Sequence, residues 1–206
     1  MSRLNDFYEL HPNLTIDFVT NPLDTIEETI DLKQDSIDAA IRIGHGNWDG
    51  YRSEKLLDIY VQLVCAPKLL ESEKSSDNLP CLQEHNWLHY KHLPELWSRW
   101  LDAAGIGKVE TNKKHIELDN VAIAVQAAVD GLGVIPMYRP LADPLLDSGQ
   151  LVVAHPYPML KQESYYFVCP QNSPARAPAG IFGAWIVSVA KEFRKRWSQE
   201  FSDAHK

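Results

Sequence analysis

Along the chain, short apolar runs alternate with segments in which apolar residues recur every three or four positions. This is the pattern of a βαβ protein with largely parallel sheets. Leu4, Phe7 and Tyr8 share one helical face, and the helix ends at His11-Pro12, because proline disfavours helical geometry in the residue before it. Leu14, Ile16 and Phe18 then alternate with Thr15, Asp17 and Val19, as in a strand. The turn Thr20-Asn21-Pro22 leads into a second helix, whose start carries two overlapping capping boxes, Asp24 with Glu27 and Thr25 with Glu28. Glu27, Glu28 and Asp31 suit the positive end of that helix and read as a solvated first turn rather than as paired acid–base carboxylates. Ser36 to Ile43 reads as a strand and Gly44 to Gly50 as a loop, followed by two extended stretches, Tyr51 to Leu57 and Ile59 to Cys65, closed by Pro67.

Beyond Pro67 the character changes, with a polar loop from Glu71 to Pro80 and then Trp87, Trp97 and Trp100, which point to a second lobe with its own core. Trp97 and Trp100 stand at helical spacing beside Leu96 and Leu101. The clearest helix runs from Asp119 to Gly131. Asp119 or Asn120 can cap it, Val121, Ala124, Val125, Ala128 and Val129 form its apolar stripe, and Gly131 can end it in a left-handed conformation. Strands are predicted at Leu132 to Pro136, Gly149 to Val153 and Tyr165 to Val168, and a last amphipathic helix from Pro178 to Phe201.

Composition narrows the function classes. The 206 residues are 45% hydrophobic, enough for one large domain or two small ones, and the formal charge of −8 repels phosphate backbones. No stretch has the length of a membrane span and the first residues lack a secretion signal, so the expectation is a cytoplasmic chain with no membrane partner. Cys65, Cys81 and Cys169 have neither the parity of a disulfide framework nor a short metal-binding spacing, and read as small buried hydrophobes. The loop Gly44-His45-Gly46-Asn47-Trp48-Asp49-Gly50 lacks the Gly-Lys-Ser/Thr of a phosphate cradle. His85, His89 and His92 are the best metal candidates, but a fourth ligand is missing, so no metal or cofactor is expected. With no nucleophile elbow, zincin motif or dinucleotide fingerprint, an enzyme is not expected either. What remains is ligand recognition at helix starts: the Thr20 to Asp24 turn, where a strand meets a helix, and the backbone N–H groups opening the Asp119 helix.

Several stretches, taken in order, carry a resemblance. They are Leu4 to Leu10 with His11-Pro12, Asp38 to Gly44, Gly46 to Gly50, Val64 to Pro67, Trp97 to Gly105, Leu118 to Asn120 through Gly131 to Val134, Gly149 to Val152, and Tyr165 to Phe167 followed by Phe182 to Trp185. The set resembles the effector-binding domain of LysR-type transcriptional regulators, in the branch of the glycine-cleavage and β-lactamase activators. The resemblance implies an α/β fold of two Rossmann-like lobes of the type 2 periplasmic-binding-protein kind. Lobe I would comprise residues 1–64 and 164–206, and lobe II residues 65–163.

It also implies a small-molecule effector between the lobes and signalling through oligomer packing. The alternative is a transporter's solute-binding protein of the same fold. Carried onto this chain, the pocket residues would be Thr20, Asn21 and Asp24, with Asn120, Val121 and Tyr165 or Tyr166 opposite. Asp24 would accept hydrogen bonds from an amine or amide, and Asn120 with the Val121 N–H would hold a carbonyl or carboxylate. The family's helix-turn-helix is not in this sequence, so DNA would be reached only through that absent N-terminal domain. The strand that the family places before the first helix is missing too, which leaves a gap in the lobe I sheet and predicts homodimers or homotetramers.

Overall fold

The computed structural model describes residues 3–19, 32, 36–71, 79–111, 113–174 and 177–201. The chain divides into two compact units, one built on Met1–Asp58 and Gln162–Ser202, the other on Ile59–Lys161. Two long strands, β2 (Tyr51–Cys65) and β6 (Val152–Pro170), each contribute residues to both units.

In the first unit, β1 (Ala40–Gly44) runs antiparallel to β6, in register from Ala40 against Val168 to Gly44 against Ser164. Helix α7 (Pro178–Glu200) packs its apolar stripe on this ladder: Ala190, Phe182 and Ile186 meet Leu56, Phe167 and Cys169. Helix α1 (Leu4–Leu10) is pinned by Phe7, which is fully buried, with its ring 5.4 Å from Phe182 and 5.2 Å from Trp185. The helices at both ends of the chain therefore form as their periodicity predicts.

The second unit follows Cys65 with two short helices, α2 (Pro67–Leu70) and α3 (Leu79–Glu84). Strand β3 (Trp87–Tyr90) pairs in parallel with β4 (His115–Leu118), and Trp87 bridges in parallel to Val134. Asn86 organises this corner. Its amide donates to the Leu132 carbonyl at 2.9 Å, its side-chain oxygen accepts from the Lys114 N–H at 3.1 Å, and its backbone carbonyl accepts from the Val134 N–H at 2.9 Å. Strand β5 (Ile135–Tyr138) lies antiparallel to β2, with Val61 opposite Tyr138 and Val64 opposite Ile135. Helix α4 (Leu96–Ala103) closes the core: Trp97 stacks on Trp87 with ring centroids 4.2 Å apart, and Trp100 is fully buried. Both stacked indoles are satisfied, Trp87 donating to the Leu82 carbonyl at 2.7 Å and Trp97 to the Leu88 carbonyl at 2.8 Å. Helices α5 (Val121–Val129) and α6 (Arg139–Asp147) complete the unit.

The structure corrects the sequence reading in several places. Leu14 to Val19 is not a strand. Alternation supplies a face but not a ladder partner, and among the described residues none pairs with it, leaving Phe18 49% and Val19 72% exposed. The expected break near Asp58 does not occur and β2 is one strand; Asp58 is served within it by Lys55 at 2.6 Å and by the Ser164 hydroxyl at 3.1 Å. The separate strands expected at Gly149 to Val153 and Tyr165 to Val168 are parts of β6, which passes through Pro156 and Pro158 because proline's fixed φ tolerates extended backbone and removes only a donor. The strand expected from Ser36 begins at Ala40, and the polar loop expected through Pro80 already gives way to α3 at Leu79.

Helix α6 was not foreseen, since Pro140 and Pro144 mask it. Pro140 occupies the first turn, where no N–H is missed, and the buried Arg139–Asp143 pair, 2.7 Å apart one turn on, ties the helix across Pro144. The described pairings of the four-stranded sheet, ordered β1-β6-β2-β5, are antiparallel rather than parallel.

A Cβ on Gly133 would collide with the Asn86 carbonyl oxygen, a backbone atom that cannot swing away. Gly133→Ala should therefore destabilise the protein by at least about 2 kcal/mol, read as the urea midpoint against wild type. An unchanged midpoint would show that this corner is not tightly packed.

Candidate functional site

The start of α5 is built by β4, which ends at Leu118 and turns through Asp119 so that Asn120 takes extended backbone angles, φ −121° and ψ 126°. Asn120, not Asp119, is the cap. Its side-chain oxygen accepts from the Ala122 N–H at 2.8 Å and the Ile123 N–H at 3.2 Å. Two of the helix's orphan donors are thus consumed internally, and the groups this end can offer a ligand are the Val121 N–H and the Asn120 amide NH2. Both groups donate, which suits a carbonyl or carboxylate oxygen. Asn120 is exposed and Val121 half-buried, while Gly131 closes the other end of the helix with φ 75°.

Tyr165 and Tyr166 are consecutive on β6 and therefore face opposite sides of the sheet. Tyr165 joins the apolar cluster of Leu56, Phe167 and Cys169 beneath α7. Tyr166 lies edge-on to Trp48, with centroids 5.7 Å apart, and crosses Gly46, whose φ of 89° keeps the Gly44 to Gly50 loop close to it. Of the two tyrosines, Tyr166 is the one beside a loop. Thr20, Asn21, Asp24 and the helix expected to follow them lie outside the described residues.

Sequence reasoning passed over a second polar set, in the second unit. Lys161 on β6 donates to the Tyr138 hydroxyl at 3.3 Å, with its Nζ 5.2 Å from that ring's centroid. Burial, with Tyr138 nearby, pushes the Tyr90 hydroxyl well above the ordinary tyrosine range, so it stays a neutral phenol. A signal was available, because Tyr138 directly follows an apolar strand run, and strand ends are where α/β folds display ligand-contacting side chains.

The histidines also sort differently. Among the described residues no group of three or more His, Cys, Asp or Glu is placed to hold a metal ion. His89 Nε2 instead meets His115 Nδ1 at 3.0 Å, across the β3–β4 ladder. Burial and the neighbouring His115 hold the His89 pKa below its usual value, against an opposing pull from Glu117.

The model of the LysR substrate binding domain matches residues 1–191. The chain belongs to that family. Among curated relatives, the glycine cleavage system transcriptional activator of Escherichia coli (strain K12) is 27% identical over 201 residues, which are 96% of this chain and 64% of that protein. The transcriptional activator AmpR of Citrobacter koseri is 25% identical over 190 residues, 92% of this chain and 62% of its own length. The chain thus spans under two thirds of these relatives, which are named as regulators and not as enzymes.

In fold, the LysR-family domain is similar to the AmpR effector domain of Pseudomonas aeruginosa, with a TM-score of 0.74 at 24% identity, covering 95% of this chain and 91% of that one. It is also similar to full-length LysG from Corynebacterium glutamicum with bound effector Arg, with a TM-score of 0.56 at 18% identity, covering 78% and 53%. The α/β architecture is therefore that of LysR effector domains, the type 2 periplasmic-binding-protein fold. No helix among the described residues is long and apolar enough to cross a membrane.

His155 should contribute to the acid sensitivity of the second unit. Its imidazole is half-buried, which lowers its pKa, and its Nδ1 accepts from the Tyr157 N–H at 3.2 Å, a bond that protonation of Nδ1 would break. An unfolded histidine takes up its proton near pH 6.5, before the folded one does, so the unfolded chain binds more protons in that window and stability falls as pH drops through it. The melting temperature should fall between about pH 7.5 and about pH 5.5, and His155→Gln should flatten that slope. An equal slope in the variant would assign the acid sensitivity to other groups.

Proposed function

We propose that this LysR-family domain is the sensing part of a bacterial transcription regulator that works in the cytoplasm, binds a small-molecule effector and passes the signal on through subunit packing. The family match over residues 1–191 carries the reading. The same fold recorded with the amino acid Arg as effector supports a ligand of metabolite size. DNA contact is assigned to sequence outside the stretch that matches the relatives.

We assign the effector to Asn120 and Val121, to Thr20, Asn21 and Asp24, and to one of Tyr165 and Tyr166. Residues 1–64 with 164–206 would form one lobe and residues 65–163 the other. The donor pair at the start of α5 suits an effector bearing a carbonyl or carboxylate. For the ligand to signal, it must bind one packing arrangement more tightly than another. No observation favours the solute-receptor alternative: the relatives named here are transcriptional activators.

A thermal-shift screen with amino acids, peptidoglycan fragments and other small carboxylates should give at least one ligand that raises the melting temperature, with about 2.7 kcal/mol of stabilisation at a hundredfold excess over Kd. Asn120→Ala should cost about 1 kcal/mol through the lost cap and abolish the shift. Asn120→Ser, which keeps a capping oxygen but not the amide, should recover stability without recovering the ligand response. A full response in the serine variant would remove Asn120 from the site. Light scattering should show dimers or tetramers at high concentration, and a strictly monomeric species would overturn the packing route.

A further inference from the structure

We propose that His89 and His115 form a two-histidine chelate for a divalent transition-metal ion on the second unit. A metal held by imidazole at about 2.0–2.1 Å places adjacent ligand nitrogens about 2.8–3.4 Å apart, from square to tetrahedral angles. The facing nitrogens, His89 Nε2 and His115 Nδ1, are already 3.0 Å apart.

This spacing rests on ladder positions, because both residues sit on paired strands whose register sets His89 against Glu117 and Trp87 against His115. Trp87, His89, His115 and Glu117 consequently share one face of the ladder. Glu117 acts electrostatically on His89 and adds negative charge beside the pair. The rings are backed by the indole stack, with Trp87 5.1 Å from the His115 ring and Trp97 6.0 Å from the His89 ring. His115 is exposed and His89 half-exposed, so an ion reaches the site from solvent.

Without metal, one imidazole donates its N–H to the other. On binding, the donor ring moves that proton to its second nitrogen and both facing lone pairs turn to the ion, with no net proton released. Two protein ligands leave the remaining positions to water, and Cu2+ should bind most tightly, ahead of Ni2+ and then Co2+.

The test is titration of the full 206-residue chain with Cu2+, Ni2+ and Mg2+ in a non-coordinating buffer, read by tryptophan fluorescence and calorimetry. Cu2+ should quench saturably at one ion per chain, Ni2+ should bind more weakly and Mg2+ should do nothing. His89→Ala and His115→Ala should each weaken Cu2+ binding by more than the roughly tenfold that losing an outer-shell partner costs, while His45→Ala leaves it unchanged. Copper electron paramagnetic resonance of the wild-type chain should show two nitrogen ligands, a readout that does not depend on how the variants fold. Binding that survives the double variant, or a wild-type spectrum with fewer than two nitrogens, would overturn the proposal and leave the pair as a plain hydrogen bond.

Discussion

The second unit depends on one side chain of modest size. Asn86 uses its amide, its side-chain oxygen and its backbone carbonyl to join the segments that precede β3, β4 and β5. A single hydrogen bond adds only about 1 kcal/mol net. Three bonds converging on one residue do something else: they fix where three strands begin relative to one another. A one-residue slip would turn every side chain of a strand to the other face, so this starting point decides which residues enter the core.

The consequences run outward along the strands. With β3 anchored, Leu88 and Tyr90 turn into the apolar core while His89 meets His115. With β4 anchored, the chain leaves the ladder at Leu118 and reaches Asn120 in the extended conformation that a helix cap needs. The tryptophan stack then covers β3 from the side of α4, with the indole N–H groups of Trp87 and Trp97 each bonded to a carbonyl. The capped start of α5 is thus a product of sheet register as much as of its own sequence.

The elements legible from sequence were those whose periodicity is local. Helices α1, α4, α5 and α7 each carry an apolar stripe, and α5 also carries its cap and its terminal glycine. Strand continuity was not legible, because a polar Asp58 or the pair Pro156 and Pro158 looks like punctuation until the partner that tolerates it is known. Helix α6 was concealed for the opposite reason, its prolines outweighing a buried ion pair that only folding creates. In the candidate site, the sequence offers Asp119 or Asn120 as the cap and the fold selects Asn120, whereas the opposed faces of Tyr165 and Tyr166 follow from strand alternation and separate two residues that the resemblance leaves as alternatives. His115 was missed since its partner lies 26 residues earlier.

The prolines of β6 have one more effect. Pro156 and Pro158 are two residues apart, so their backbone nitrogens turn to the same margin of the strand, and neither carries a hydrogen. At those two positions the chain can only accept. Two successive rungs on that side of β6 therefore carry an acceptor and no donor, so the extended path of this stretch relies on proline's own fixed φ rather than on donated bonds.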